Sequence, residues 1–330
     1  MLKPSVAPHL RRTERPFYQA GGVLLCLVPL VAFSCLYYGF RSAVVVGVGA
    51  LTAMLVEVLC CLVAGRRPTL TDGTAAVTGA LIGSMMSPLT PFWTPVMGAA
   101  FAIGVAKMPF GGTGRNVFNP AAAGMAFCAI CFPTRLFIYP DPALQQTLPM
   151  MDTSSVLTAL SPAAQLSNSG HSTYDWYSLL SGNFPGPIGS AGIVVLIACA
   201  LFLYVRGSSS LLITVPYLLI CGAGAALFPR AAITPTNSVM LELCTGLLLF
   251  TGVFLLGDPV TAPRHWLARI VYGCMAGGLV MLLRHYGRFE CCEFFAVLLV
   301  NAFSPVLDRT CWHVTHRVFR WWKRRGVTGQ

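Results

Sequence analysis

The chain alternates between long apolar runs and short polar breaks. A helix that crosses a bilayer needs about 20 mostly apolar residues, within a range of roughly 17–25. Runs of that kind cover 21–40, 42–64, 188–205, 210–228, 239–257, 266–284 and 290–308. Three further segments, 74–88, 93–108 and 118–134, are shorter or interrupted by Gly, Ser and Pro. The pattern predicts an all-α integral membrane fold of about ten transmembrane helices.

Composition agrees. Only 10% of the 330 residues are charged and 55% are hydrophobic, whereas a soluble domain carries roughly 25% charged residues. So few charges cannot cover a globular surface. The 13 cysteines are too dilute for a secreted disulfide scaffold. A net charge of +11 raises the question of nucleic acid, and position answers it. The bases cluster at Lys3–Arg15, Arg66–Arg67 and Arg317–Arg325, beside apolar runs, as cytoplasmic loops do against an anionic leaflet. The partner they imply is the lipid bilayer, with no nucleic acid. No small-residue cleavage site ends the first apolar run, so the first span is expected to remain in the mature protein.

Of the 22 Lys and Arg, all but five (Arg41, Arg135, Arg230, Arg284 and Arg288) fall on one side when the N-terminus is placed inside. The bias predicts cytoplasmic termini and an even number of spans. The largest break, 135–187, then faces outward and divides the chain into five spans before and five after. An odd number per half means that the halves enter the membrane from opposite sides. Such inverted repeats place sites near the midplane, on broken helices. The expected organisation is a cytoplasmic segment 1–20, a first five-helix half 21–134, the outer loop 135–187, a second half 188–310 and a basic cytoplasmic tail 311–330.

Ionisable residues inside spans are costly, and each is a functional candidate. Glu57 and Glu242 lie deep, where buried pairing and an ion or proton path are equally open readings. Asp72, Lys107, Asp258 and Asp308 lie near expected span ends, where snorkelling or helix capping accounts for them. Glu293 completes the set. Glu57, Asp72, Glu242 and Asp258 are the ion-path candidates. The most unusual stretch is Asp72-Gly-Thr-Ala-Ala-Val-Thr-Gly79, followed by Phe110-Gly-Gly-Thr-Gly-Arg-Asn-Val-Phe-Asn-Pro-Ala121. Glycines permit close backbone approach or positive φ, and Asn-Pro marks a break leading into a helix. Between two short apolar segments, this reads as irregular backbone lining a protected cavity.

Other chemistry is scarce. Cys128 and Cys131 form a CxxC inside an apolar run, and Cys60–Cys61 and Cys291–Cys292 are adjacent pairs. No second CxxC completes a four-ligand site, so they read as small buried residues. The six histidines have no metal-ligand spacing. No Walker A, Rossmann or Gly-x-Ser-x-Gly motif is present.

The run from Asp72 to Gly79, Lys107 and the Gly-Gly-x-Gly-x-Asn116-x-Phe-Asn119-Pro-Ala121 segment resembles the NqrB/RnfD family. Gly257-Asp-Pro-Val-Thr-Ala-Pro263 and Phe295-Ala-Val-Leu-Leu-Val-Asn301-Ala-Phe-Ser-Pro305 match its second half. The resemblance covers roughly 15–312 and is closest to RnfD. It implies a ten-helix bundle of two inverted halves, similar to urea and ammonium transporters. It implies a membrane subunit that carries electrons through flavin between ferredoxin and NAD, coupled to Na⁺ or H⁺ movement in the inner (plasma) membrane. It also implies partners, the Rnf-type subunits A, B, C, E and G. Family members carry FMN as a phosphoester on a Thr of a Ser-Gly-Ala-Thr-Pro-Leu-like motif. The counterpart here is Thr158-Ala-Leu-Ser161-Pro-Ala-Ala-Gln-Leu166. Ser161 stands at the Thr-Pro position and is the candidate for covalent FMN, with Thr158 and Ser155 as fallbacks. Asn116 and Asn119 are candidates for a second, non-covalent flavin such as riboflavin. Two other readings remain: a urea-transporter-like channel or transporter without flavin, and a structural subunit that has lost its covalent flavin.

Overall fold

A computed structural model describes residues 16–66, 70–142, 148–150, 156–169, 173–229, 235–287 and 290–326. The fold is helical. It begins with the hairpin of α1 (Pro16–Tyr38) and α2 (Arg41–Val63), whose tight turn needs the positive φ of Gly39. Next come α3 (Thr74–Met85), α4 (Trp93–Phe101) and α5 (Pro120–Cys131). The later part holds α9 (Ile193–Val205), α10 (Leu211–Leu227), α11 (Pro235–Cys244), α12 (Leu248–Phe250), α13 (Trp266–Tyr286) and α14 (Glu293–Gly326). Between the two sets, α6 (Pro133–Leu136), α7 (Pro162–Ser169) and α8 (Trp176–Ser181) lie in the long connection.

Four helices are long and apolar enough to cross a membrane: α1, α2, α13 and α14. A fifth arises if α11 and α12, bent by 65° across a short break, form one span. The chain is therefore a multi-pass, all-α membrane protein. The other expected spans fall on shorter apolar helices. The last helix runs without interruption from Glu293 to Gly326, so the expected boundary at 310/311 lies inside one element.

Close packing follows from small residues, which let helices in a membrane approach each other. A Cβ on Gly79 of α3 would lie 2.1 Å from the carbonyl oxygen of Gly49 on α2. In the second set, a Cβ on Gly273 of α13 would lie 2.4 Å from the carbonyl oxygen of Ile213 on α10. The core lies between the two sets and includes Ile82, Ala99, Ala122, Ile188, Leu248, Phe250 and Phe294. Leu25, Leu36, Leu51, Leu55, Leu59, Ile197, Leu201 and Leu219 face outward.

Two bends, one between α3 and α4 and one between α11 and α12, are supported in the same way. α3 ends before a bend at 86–92 and α4 follows; α11 ends at Cys244 and α12 begins at Leu248. Each second piece continues as a π stretch, Ala102–Lys107 and Thr251–Leu255. An arginine from a neighbouring helix donates to the carbonyls freed at each break. Arg41 reaches Pro88 O (2.8 Å) and Thr90 O (3.3 Å). Arg284 reaches Glu242 O (2.8 Å) and Thr245 O (2.9 Å). Buried carbonyls without such donors would be costly in a water-free interior.

The long connection has structure of its own. β1 (Tyr139–Pro140) pairs antiparallel with β2 (Thr158–Ala159), with Tyr139 opposite Ala159. It covers one end of the bundle, here called the loop end. Tyr37 and Tyr38 donate to Ser181 O and Phe184 O, and the amide of Ile188 donates to Met86 O. At the far end, Arg206 donates to Tyr18 O, and the Asp308 carboxylate accepts from the amides of Arg264 and His265.

Candidate functional site

The candidate residues fall into two regions, one at each end of the bundle. At the far end, Lys107 closes the first π stretch. Its Nζ lies 3.0 Å from Glu57 Oε2 and 2.8 Å from Thr74 Oγ1, and Thr74 Oγ1 lies 3.1 Å from Thr113 Oγ1. Both ion-pair side chains are almost wholly shielded, at 1% and 2% exposure. The expectation that Lys107 snorkels is corrected. A snorkelling ammonium reaches water, whereas this one is spent on a carboxylate brought from α2. Glu57 is thus paired inside the bundle.

At the loop end, Arg284 on the last turn of α13 holds two carboxylates. Its Nη1 lies 2.9 Å from Glu242 Oε2, and Nε donates to Glu293 Oε1 at 3.1 Å. Nη2 also donates to Glu293 Oε1. Together with Glu242 O and Thr245 O, these bonds engage all five guanidinium N–H groups. Glu242 and Glu293 are 2% and 0% exposed. The polar cluster therefore sits where α11, α13 and α14 converge on the second helix break. Glu242 too is paired.

Ser161 also lies at the loop end. It precedes Pro162, the first residue of α7, and its Oγ accepts from the amide of Ala164 at 3.1 Å, a helix N-cap. The same hydroxyl donates to the Glu290 carboxylate. Ser161 is 2% exposed. Thr158, on β2, is exposed, and Ser155 lies outside the described residues. Burial pushes the Glu290 carboxyl up to about 7, while the Ser161 hydroxyl favours its charged form and Glu293 opposes it.

The glycine-rich segment turns at Gly111, Gly112 and Gly114, all with positive φ. Asn119 caps α5: Oδ1 accepts from the amides of Ala121 (3.0 Å) and Ala122 (3.2 Å), and Nδ2 donates to Leu255 O (3.2 Å). One amide side chain thus starts a helix of the first set and ties it to the π stretch of the second. Asn116 is half-buried, and its Oδ1 is buried with no hydrogen-bond partner. Asp258 closes a local turn, accepting from Val260 N and Thr261 Oγ1. Asp308 caps the start of α13 from α14. Asp308 is thus the helix cap of the two, while Asp258 holds a turn. Asp72 is half-buried at the end of a short 3-10 turn. The structure does not bring Asp72 or Asp258 together with Glu242.

Among the described residues, no group of three or more His, Cys, Asp and Glu side chains is placed to hold a metal ion. Cys128 is buried, Cys131 is exposed, and both are free thiols.

A model of the NQR2, RnfD, RnfE family matches residues 3–317. The chain belongs to this family. Among its relatives, the D component of the ion-translocating oxidoreductase complex of Yersinia enterocolitica is 30% identical over 316 residues, which cover 87% of this chain and 90% of the relative. The like-named component from Pectobacterium carotovorum is 31% identical over 316 residues, covering 87% and 90%. That of Shewanella sediminis is 29% identical over 345 residues, covering 93% and 95%.

Three members of the site escaped the sequence reading of this NQR2, RnfD, RnfE chain. Arg284 counted as a loop charge, because a sum of bases treats all of them alike. Arg41 counted the same way. Glu290 sits at the edge of an apolar run where it broke no pattern, and its contact with Ser161 spans 129 residues.

Proposed function

We propose that this chain is the D-type membrane component of an Rnf-type ion-translocating oxidoreductase complex. It works in the inner (plasma) membrane with the other subunits, A, B, C, E and G. The observation that carries the reading is likeness along nearly the whole chain to relatives named as that component. Na⁺ or H⁺ is the ion moved.

The ten-pass, two-half layout belongs to the same proposal. Supporting it, α3, α4, α5, α9 and α10 are apolar segments that run between the contacts of the loop end and those of the far end. Also supporting it, the bends after α3 and after α11, one in each half, share an arginine donor and are followed by a π stretch. In this layout both termini and Arg66 are cytoplasmic and 135–187 is outside.

FMN is proposed as the cofactor, on the 156–161 segment. Bound flavin supplies one- and two-electron redox chemistry, while the chain sets its position and its access to water. Ser161 is in register with the family motif. In this conformation, however, both of its hydroxyl bonds are used and its oxygen faces a carboxylate. An anionic phosphoester does not fit there. Thr158 is the exposed hydroxyl of the segment and is the attachment point that access favours. The amide of Asn119 is engaged by protein groups, so Asn116, whose oxygen is unpartnered, is the better candidate for a second flavin such as riboflavin.

Expression with and without a flavin transferase, followed by in-gel fluorescence and peptide mass mapping, tests this reading. FMN mass on Thr158 that disappears in Thr158→Ala is the expected result, and mass on Ser161 would return the site to the register position. An unmodified segment in an active complex would overturn covalent flavin and favour the structural reading, which the buried, capping Ser161 already fits.

A further inference from the structure

At the far end, α14 outruns the membrane. Its 34 residues, at about 1.5 Å each, exceed the roughly 30 Å of hydrocarbon in a bilayer. Its apolar stretch ends at Leu307, and Asp308 and Arg309 follow, so this turn stands near the lipid headgroups. Two exposed tryptophans accompany it, Trp312 on α14 and Trp266 at the start of α13. Tryptophan is enriched at the membrane–water boundary, where its amphipathic ring fits. Between the two helices here lies a cleft of about 460 Å³, lined by Arg264, His265, Asp308, Arg309, Trp312 and His313.

The groups that line the cleft are not equivalent. Asp308 opposes an anion, but its oxygens accept from the amides of Arg264 (3.0 Å) and His265 (2.9 Å). That charge is tied to the start of α13. His265 is engaged too: Nδ1 accepts from Leu267 N at 3.2 Å, and Nε2 lies 3.3 Å from Thr315 Oγ1. The guanidinium groups of Arg264 and Arg309 differ. Both residues are exposed, and neither side chain has a hydrogen-bond or ion-pair partner among the described residues. A guanidinium offers paired N–H donors that match the oxygens of a phosphate. Ala302, Pro305 and Val306 precede Arg309 on the same face of α14, and all three are exposed.

We propose that this cleft holds the phosphate of an anionic phospholipid between Arg264 and Arg309, with its acyl chains along the Ala302–Val306 face. A free phosphate would satisfy the guanidinium groups but leave Trp312 and the apolar strip uncovered. A lipid covers all three, and basic pockets between membrane helices suit such headgroups. The proposal rests on the membrane fold, and neither the flavin nor the orientation enters it.

The test titrates the purified full chain in detergent with dioleoyl phosphatidylglycerol and counts bound lipid by native mass spectrometry. Dioleoyl phosphatidylcholine, with the same chains and no net charge, should bind far more weakly. A base near an anionic lipid surface contributes about fivefold in affinity, so Arg264→Gln with Arg309→Gln should weaken phosphatidylglycerol binding about thirtyfold. Arg66→Gln removes an exposed base elsewhere at the far end and should leave binding unchanged. Equal binding of the two lipids, undiminished binding to the double variant, or an equal loss in Arg66→Gln would each overturn the site. Displacement of the lipid by millimolar glycerol phosphate would overturn it as well, because a soluble phosphate would then be the occupant. Should the double variant fail to fold, the single variants decide, with a loss of about fivefold expected for each.

Discussion

Replacing Lys107 by methionine isolates what the far-end ion pair does. The ammonium is 3.0 Å from Glu57 Oε2, and both side chains are almost fully shielded. Methionine keeps the length and apolar bulk of the stem but leaves the Glu57 carboxylate buried without its cation. Breaking a buried pair by removing one partner costs about 3–5 kcal/mol. The lost Thr74 contact adds about 1 kcal/mol. That approaches the whole stability of a typical domain, about 5–15 kcal/mol. Removing both charges with Lys107→Met and Glu57→Met should reverse most of the loss, since apolar replacement of a complete buried pair is often neutral or stabilising by about 1–4 kcal/mol. Thermal loss of the monodisperse peak in fluorescence-detected gel filtration would rank the parent, the two single variants and the double. The expected order puts the double well above either single variant. A double variant as poor as the sum of the singles would refute the pair, as would a Lys107→Met protein as stable as its parent. Electron transfer and ion movement by a stable double variant then separate the two readings left open for Glu57. Retained activity makes the pair structural, and lost activity with retained fold makes it part of a path.

Gly79→Ala should destabilise the α2–α3 contact by about 1–3 kcal/mol or more, because its methyl would lie 2.1 Å from Gly49 O; Gly47→Ala meets nothing within 4 Å and should be neutral in the same thermal assay. Asn119→Leu removes the α5 cap, worth about 0.5–2 kcal/mol, and leaves Leu255 O without its donor. It should lower thermal stability and loosen the contact between the two sets. Cysteines introduced at Tyr177 and Arg264, both exposed, should label from opposite sides of the membrane in a background cleared of reactive native thiols; labelling of both from one side would overturn the topology. Glu290 has a folded-state value raised to about 7 from 4.5. The folded state therefore binds its proton more tightly than the unfolded one, and its contribution to stability should fall as pH rises through that window. Thermal scans from acidic to alkaline pH should show the decline, and Glu290→Gln should flatten it.

How much of this was legible depended on distance along the chain. Of the apolar runs read by length, 21–40, 42–64, 266–284 and 290–308 became the long helices α1, α2, α13 and α14, while 188–205 and 210–228 became the shorter α9 and α10 and 239–257 the bent α11 and α12. The break between α11 and α12, at 245–247, fell inside the run 239–257, which length alone reads as one span. The Asn-Pro start of α5 was readable because a cap and a fixed φ are local devices. The pairs were not readable. Lys107 and Glu57 are 50 residues apart and Ser161 and Glu290 are 129 apart, and no local pattern records such a meeting.

The same blindness made the charge bias look weaker than it is. Topology is set by bases that stand free in loops, and two of the five assigned to the outer side do not. Arg41 and Arg284 are each 3% exposed and are spent on the carbonyls of the two helix breaks. On the inner side Lys107, Arg206 and Arg269 are also engaged, three of a much larger set. Removing bases with a structural partner from both sums leaves the outer side poorer in proportion than the inner. Arg135, which is exposed, is the outer base among the described residues that still counts. The proposed orientation thus rests on a steeper asymmetry than composition shows. The two arginines that seemed to oppose it are the residues that supply donors to the carbonyls at two bends inside the bundle.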